Sequence, residues 1–348
     1  MSTYTLFNAY VGSKAPYVSK IKSLFDPTCT KYFEPFAGGA AVYFSHYNGK
    51  YQKEGLNDMN SNIALLYKAL ADDETRDDVV KAILNIEKPD DVTKAKVQFE
   101  SAKSNMLSNK IRIERIPKER WCELCRNAFL VYSQSFNNAG KTYSSLKSNE
   151  KYHYETLRNL ESVVERLSSH PQVSQLDGSE WIKYLSDQKE TQLLIDWPYV
   201  GQYRSCSKLY GCEMSGLYEH IIGAQALANC KAAIVMCDYR SAIPEIPTVY
   251  DAYLGGEWHC FKLQDTYKKC QVVKHGECKQ KAQEYVWTNR IPEFAGNYIS
   301  LTDYKEKIEV DEYWFKIRKA CLEKKISNKF IHEYEMTYKR LCGKDLLL

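Results

Sequence analysis

Short apolar runs alternate with helical patterns towards both ends of this chain, and the alternation stops in between. Lys31–Phe36 reads as a short strand, followed by a glycine turn and an apolar helix from about Ala40. The next strand ends at Leu56, and Ile63–Leu70 has helical spacing. A second group starts with a strand at Gln192–Ile195, a helix over Ser215–Asn229 and a strand at Ala232–Cys237. Further strands are expected at His259–Leu263 and Glu284–Thr288. From Asp72 to Glu190 the chain is polar, Tyr-rich and helical, as in Val79–Ile86 and Leu157–Leu167, with no strand run. Such alternation builds a sheet covered by helices, here interrupted by a helical insertion. The expected fold class is α/β: residues 1–71 and 191–300 form one domain, 72–190 a mainly helical insertion, and 301–348 a helical, charged extension.

The 348 residues, 44% of them hydrophobic, suffice for such a core, and a charged fraction of 26% argues against disorder. A net charge of +4 neither demands nor excludes nucleic acid, because a basic face matters more than a basic total. Met1–Ala9 lacks the features of a signal peptide, and no run is long enough to span a membrane. The expectation is a cytoplasmic protein whose twelve irregularly spaced cysteines stay reduced. Cys122 and Cys125 have C-x-x-C spacing, but no second pair or histidines follow at ligand spacing, so no metal is expected. The histidines (His46, His153, His170, His220, His259, His275 and His332) are scattered, and none belongs to a nucleophilic motif.

Two segments carry candidate chemistry. In Phe33-Glu34-Pro35-Phe36-Ala37-Gly38-Gly39-Ala40 a strand meets its helix through two glycines, which let backbone approach a ligand closely. Asp58, about twenty residues on at the end of the next strand, is placed to bind ribose hydroxyls. Neither G-x-G-x-x-G nor a G-K-[ST] loop is present, so a nucleoside without pyrophosphate suits the turn better than a dinucleotide. The bland alternative is a tight structural turn. The second segment, Asp196-Trp197-Pro198-Tyr199, ends a buried-looking strand, where α/β enzymes place their chemistry. A carboxylate and a proline-stiffened carbonyl can accept hydrogen bonds from an exocyclic amine, and a tyrosine can stack on a flipped base. Here the alternative is an N-capping aspartate beside a stiff turn with two core aromatics.

Basic and aromatic residues intermingle in the middle of the chain. Lys110, Arg112, Arg115, Lys118, Arg120 and Arg126 are interleaved with Glu114, Glu119 and Glu123, a pattern equally suited to a solvated face. Lys141, Tyr143, Lys147, Lys151, Tyr152, His153 and Tyr154 precede an amphipathic helix and suit phosphate contact beside a flipped base. Asn137 and Asn138 offer amides for an adenine edge or a phosphate.

The order of these pieces resembles Dam-type, adenine-specific N6 DNA methyltransferases. Tyr10 with Gly12-Ser13-Lys14 is similar to their aromatic-x-Gly-x-Lys start, and Glu34–Val42 to their Glu-Pro-Phe-x-Gly-Gly cofactor motif. Leu56–Asn60 looks like their second strand end, and Asp196–Tyr199 like their Asp-Pro-Pro-Tyr loop. Arg126-Asn127-x-Phe129 with Phe136-Asn137-x-x-Gly140-x-x-Tyr143 is similar to the segment before their recognition helices, and Glu284-x-x-Trp287-Thr288-Asn289 to a late strand motif. The resemblance covers most of the chain. It implies a Rossmann-like domain, S-adenosylmethionine as methyl donor, double-stranded DNA as partner and a helical target-recognition insertion. By position it assigns Tyr10, Lys14, Gly38 and Asp58 to the cofactor, and Glu34, Phe36, Gly39 and Asp196 are further cofactor candidates in the same motifs. It assigns Asp196, Trp197, Pro198 and Tyr199 to catalysis, while the basic, aromatic and amide pattern gives Arg126, Asn137, Asn138, Lys141, Tyr143, Lys147, Lys151 and Tyr152 as candidate DNA contacts.

This chain departs from the pattern twice. Ala40 stands where another glycine is common, which costs little unless φ is positive there. Trp197 replaces the first proline of the catalytic loop and keeps the carbonyl while adding an indole. Two other readings stay open: an RNA adenine methyltransferase, and a DNA-binding protein on this fold whose pocket Trp197 blocks. The recognised bases, the oligomeric state and a link to a restriction enzyme have no signature in the sequence.

Overall fold

The computed structural model describes residues 5–7, 12–46, 48–87, 89–108, 111–135, 140–144, 150–199, 216–240, 246–267, 281–326 and 328–346. In chain order its regular elements begin with α1 (Val18–Ser23), β1 (Lys31–Glu34), β2 (Lys53–Asn57), α2 (Ser61–Ala71), α3 (Arg76–Leu84), α4 (Val92–Ser104) and α5 (Trp121–Gln134). They continue with α6 (Glu150–Leu167), β3 (Gln172–Ser174), α7 (Gly178–Leu185), β4 (Thr191–Ile195), α8 (Leu217–Leu227), β5 (Ala233–Tyr239) and α9 (Val249–Tyr253). The last are β6 (His259–Tyr267), β7 (Lys281–Thr288), α10 (Val310–Leu322) and α11 (Asn328–Cys342). The residues form two compact units: unit 1 is Met1–Val18 with Thr30–Gly178, and unit 2 is Ser19–Cys29 with Ser179–Leu348.

In unit 1, β1, β2 and β3 pair in parallel in the order β3-β2-β1. Parallel neighbours need long crossovers, usually helical; the β2–β3 crossover contains α2, whereas β1–β2 carries only a 3-10 turn at Tyr43–Ser45. Asn60 caps α2, its side chain accepting the Asn62 amide, and nearly every residue from Ser61 to Ala71 is buried. A helix apolar on all sides belongs inside a core. Helices α3 to α6 lie in the same unit as these strands. A buried Arg166–Glu54 ion pair joins α6 to β2, and the guanidinium also lies over the Tyr43 ring.

In unit 2, β4 and β5 pair in parallel, and β7 inserts antiparallel between β5 and β6. Every residue of β4 is buried, which explains its continuous apolar stretch. Helix α9 starts with a reciprocal capping box between Thr248 and Asp251. The core is rich in indoles: Trp197, Trp258 and Trp287 are almost fully enclosed.

Two local expectations fail. The helix foreseen from Ala40 is absent: Ala40 takes φ +47°, and only a 3-10 turn at Tyr43–Ser45 follows. The stretch from Asp72 to Glu190 also holds a strand, β3, which pairs with Gly55–Asn57 over three residues, too short for a periodic signal. Among the described residues no helix is long and apolar enough to cross a membrane.

Candidate functional site

In unit 1 the turn after β1 is shaped by acids accepting backbone amides. Glu34 is buried, and its Oε1 accepts from the Tyr32 hydroxyl (2.6 Å) and from the Tyr43 amide (2.8 Å). Gly38 adopts φ +48°, a conformation natural to glycine, and its amide donates to Asp58 Oδ2 at 2.8 Å. Its carbonyl accepts from the Tyr67 hydroxyl at 2.7 Å. Asp58 Oδ1 accepts from the Asn60 amide, also at 2.8 Å. Burial raises the Asp58 carboxyl to about 6 against the lowering pull of those two amides. Gly39 is buried, while the Phe36 ring lies against Gly178 so closely that an added Cβ there would stand 2.3 Å from Cζ.

Asn57 completes the frame. Its Nδ2 donates to the Pro35 and Leu176 carbonyls, and its Oδ1 accepts from the Ser174 hydroxyl and the Leu176 amide. One side chain thus ties the ends of β1, β2 and β3. Asn60 does the same for α5 by donating to the Tyr132 hydroxyl at 2.5 Å. Of Asn57, Asp58 and Asn60, spacing marks only Asp58 as a site residue. The Asn-rich composition was visible, but these partners lie far along the chain.

Lys14 is buried, and its Nζ donates to the Gly12 carbonyl at 2.7 Å. Tyr10, Asn137, Asn138 and Lys147 lie outside the described residues, as do the side chains of Lys151 and Tyr152, although both residues belong to α6. Arg126 is half-buried on α5, and Lys141 is exposed with its carbonyl accepting from Lys103. The Tyr143 ring packs on Phe99 at 5.5 Å. In the basic stretch before α5, Lys118 is neutralised by Asp72 (2.9 Å) and Glu74 (2.6 Å), whereas Arg112 keeps its charge and bonds the Gln175 carbonyl.

In unit 2, β4 delivers Asp196 half-exposed at its carboxyl end. The next residue turns inward: Trp197 is 1% exposed and packs on His220 (4.5 Å between ring centres) and stacks on Tyr250 (6.0 Å). Gly223 of α8 makes room for it, since a Cβ there would meet Trp197 Cζ3 at 2.6 Å. Pro198 is buried, and its carbonyl accepts from His220 Nε2 at 2.9 Å. The Tyr199 hydroxyl donates to Glu284 Oε1 (2.7 Å), and its ring meets Tyr239 edge-on at 4.6 Å. His220, dismissed with the scattered histidines, therefore contacts the catalytic-type loop directly. The signal was absent because nothing local links positions 198 and 220.

A family model for the D12 class N6 adenine-specific DNA methyltransferases matches residues 10–268, well over half of the chain. The chain belongs to that family. It is an adenine-specific DNA methyltransferase of Rossmann-like α/β fold. A comparison with curated proteins gives no match. The matched stretch includes the glycine turn, Asp58 and Asp196–Tyr199 of the methyltransferase, and it ends before Glu284–Asn289. Methyltransferases of this class use S-adenosylmethionine. Among the described residues no cluster of three His, Cys, Asp or Glu side chains could hold a metal. Cys125 of the C-x-x-C pair is buried, and burial pushes both Cys122 and Cys125 thiols up.

Proposed function

We propose that the enzyme methylates N6 of an adenine flipped out of double-stranded DNA, at a specific sequence, with S-adenosylmethionine as donor. The observation carrying this reading is Asp196, half-exposed at the carboxyl end of a buried strand, on a loop whose neighbouring indole is turned into the unit 2 core. That placement of Trp197 favours catalysis over a binding-only protein, because Gly223, His220 and Tyr250 take up the bulk that would otherwise reshape a base pocket.

The donor set of unit 1 fits the cofactor. The Asp58 carboxylate spends one acceptance on each of two amides, which leaves lone pairs for ribose hydroxyls. Gly38 and Gly39 give backbone access beside it, with Glu34 and Phe36 shaping the turn and Tyr10 and Lys14 as further cofactor residues. Bound S-adenosylmethionine supplies an electrophilic methyl group. Asp196 and the Trp197 carbonyl accept hydrogen bonds from the adenine amine, which hold the nitrogen lone pair towards the methyl group. Pro198 stiffens the loop, Tyr199 stacks on the base, and the amine proton leaves to a nearby group or water. Alignment and exclusion of water supply most of the acceleration.

Residues 72–190 serve as the target-recognition region in this reading, and 301–348 as a helical extension. Arg126, Asn137, Asn138, Lys141, Tyr143, Lys147, Lys151 and Tyr152 are the proposed DNA contacts. The enzyme acts in the cytoplasm, associated with the DNA it methylates. The test is methyl transfer from labelled S-adenosylmethionine to unmethylated duplex DNA, with sequencing that detects N6-methyladenine. Label confined to adenines in one short context supports the proposal. Label on RNA alone, or cofactor binding without transfer, refutes it.

A further inference from the structure

Three titratable side chains beneath the catalytic loop play no part in the chemistry described above. His220 Nε2 lies 2.9 Å from the Pro198 carbonyl, and its Nδ1 lies 2.7 Å from the Tyr250 hydroxyl. That hydroxyl lies 2.5 Å from Asp238 Oδ2. The Asp238 Oδ1 in turn accepts from the Tyr239 amide at 2.6 Å. His220 and Asp238 are 0% exposed and Tyr250 1%. The chain runs from the loop through α8 and α9 to β5, so three elements of unit 2 define the place of one carbonyl.

We propose that His220, Tyr250 and Asp238 form a buried positioning chain that fixes the catalytic loop through the Pro198 carbonyl. The inference rests on the reading that residues 196–199 hold the adenine. None of the three touches the reacting atoms, so all are positioning residues.

Proton bookkeeping supports the assignment. A carbonyl only accepts, so His220 Nε2 carries a proton. The Nδ1–hydroxyl and hydroxyl–carboxyl contacts each need one more, and the phenol supplies one of them. The other sits on the imidazole or on the carboxyl, giving either imidazolium–phenol–carboxylate or imidazole–phenol–carboxylic acid. In both forms every link is a made hydrogen bond and the chain is neutral overall, the condition under which a buried polar network is tolerated. A single donor would satisfy a buried carbonyl. A donor whose own orientation is set by two further links holds the carbonyl at a defined place and direction. Trp197 adds a second grip, because its indole lies on the rings of the same His220 and Tyr250.

Tyr250→Phe keeps the ring packing and removes only the hydroxyl. With wild-type and variant full-length enzyme, single-turnover transfer to duplex DNA is expected to fall roughly 10- to 100-fold. The S-adenosylmethionine Kd should stay within about twofold of wild type, and hydrogen exchange at the Trp197 and Tyr199 amides should accelerate. His220→Gln, which retains an amide donor for the carbonyl, is expected to keep more activity than His220→Leu at equal folded fraction. Wild-type transfer and exchange in Tyr250→Phe would overturn the proposal. So would equal activity of the two His220 variants, including the case in which Tyr250→Phe fails to fold. If the wild-type enzyme transfers no methyl to DNA, the proposed function fails by itself. Loop exchange then still decides: acceleration in Tyr250→Phe supports the chain, and unchanged exchange overturns it.

Discussion

The glycine turn of unit 1 is held through backbone amides, whereas the proposed catalytic loop of unit 2, Asp196–Tyr199, is held largely through side chains. Around the turn, Glu34 accepts the Tyr43 amide and Asp58 accepts those of Gly38 and Asn60. Around the loop, the Trp197 indole fills a notch at Gly223, the Tyr199 hydroxyl bonds Glu284, and His220 reaches the Pro198 carbonyl. A turn fixed by amides tolerates changes in neighbouring side chains but not in the few acids. A loop fixed by rings depends on the shapes of residues far away in sequence, and so can exchange a proline for a tryptophan if a glycine elsewhere makes room.

Variants that break one region and spare the other sharpen this contrast. The largest effect is expected for Asp196→Ala, a loss of about 10²- to 10³-fold or more in single-turnover methyl transfer with the thermal midpoint retained. Next comes Asn57→Ala, which strips the buried Pro35 carbonyl and the part-buried Leu176 carbonyl of a donor and should destabilise unit 1 by about 2–4 kcal/mol in denaturant melts. Gly223→Ala should cost about 1–3 kcal/mol by overpacking against the indole. In a Trp197→Phe background, which lacks the clashing ring atoms, that cost should vanish, and a double-mutant cycle measures the coupling.

Asp58 makes the two regions respond differently to pH. Its folded carboxyl titrates near 6, above the ordinary 3.8, so the stability it contributes is full below about pH 4 and is lost as pH rises through about 6. Hydroxyl recognition needs the carboxylate, so S-adenosylmethionine affinity should strengthen over the same rise. Asp58→Asn should flatten both trends in calorimetric titrations. The smallest effect is expected for Ala40→Gly, a gain of up to about 1 kcal/mol, since relief of the positive φ is partly offset by a more flexible unfolded chain.

The same contrast explains what the sequence made legible. Strands β4 and β5 follow from contiguous apolar runs, helices α2 and α8 from their helical spacing, and Gly38 and Asp58 from their distance along the chain. Strand β3 escaped because three residues carry no period, and the helix expected from Ala40 failed because a positive φ ends the approach to it. Ala40 matched a motif position that often holds glycine, so the consequence of a positive φ could be stated beforehand, but not its sign. Trp197 looked like an obstruction because its fate depends on Gly223, and His220 looked isolated because its partners are Pro198, Tyr250 and, through it, Asp238. Amide-held geometry is local and readable, whereas ring-held geometry is assembled by the fold.

The division of labour is tested most directly by measuring S-adenosylmethionine affinity and single-turnover transfer to duplex DNA side by side in Asp58→Ala and Asp196→Ala. Asp58→Ala should weaken the cofactor about tenfold or more, with transfer largely recovered at saturating cofactor, as expected when a binding interaction is lost. Asp196→Ala should keep much of its cofactor affinity and lose transfer. Substantial methylation surviving in Asp196→Ala would contradict the account.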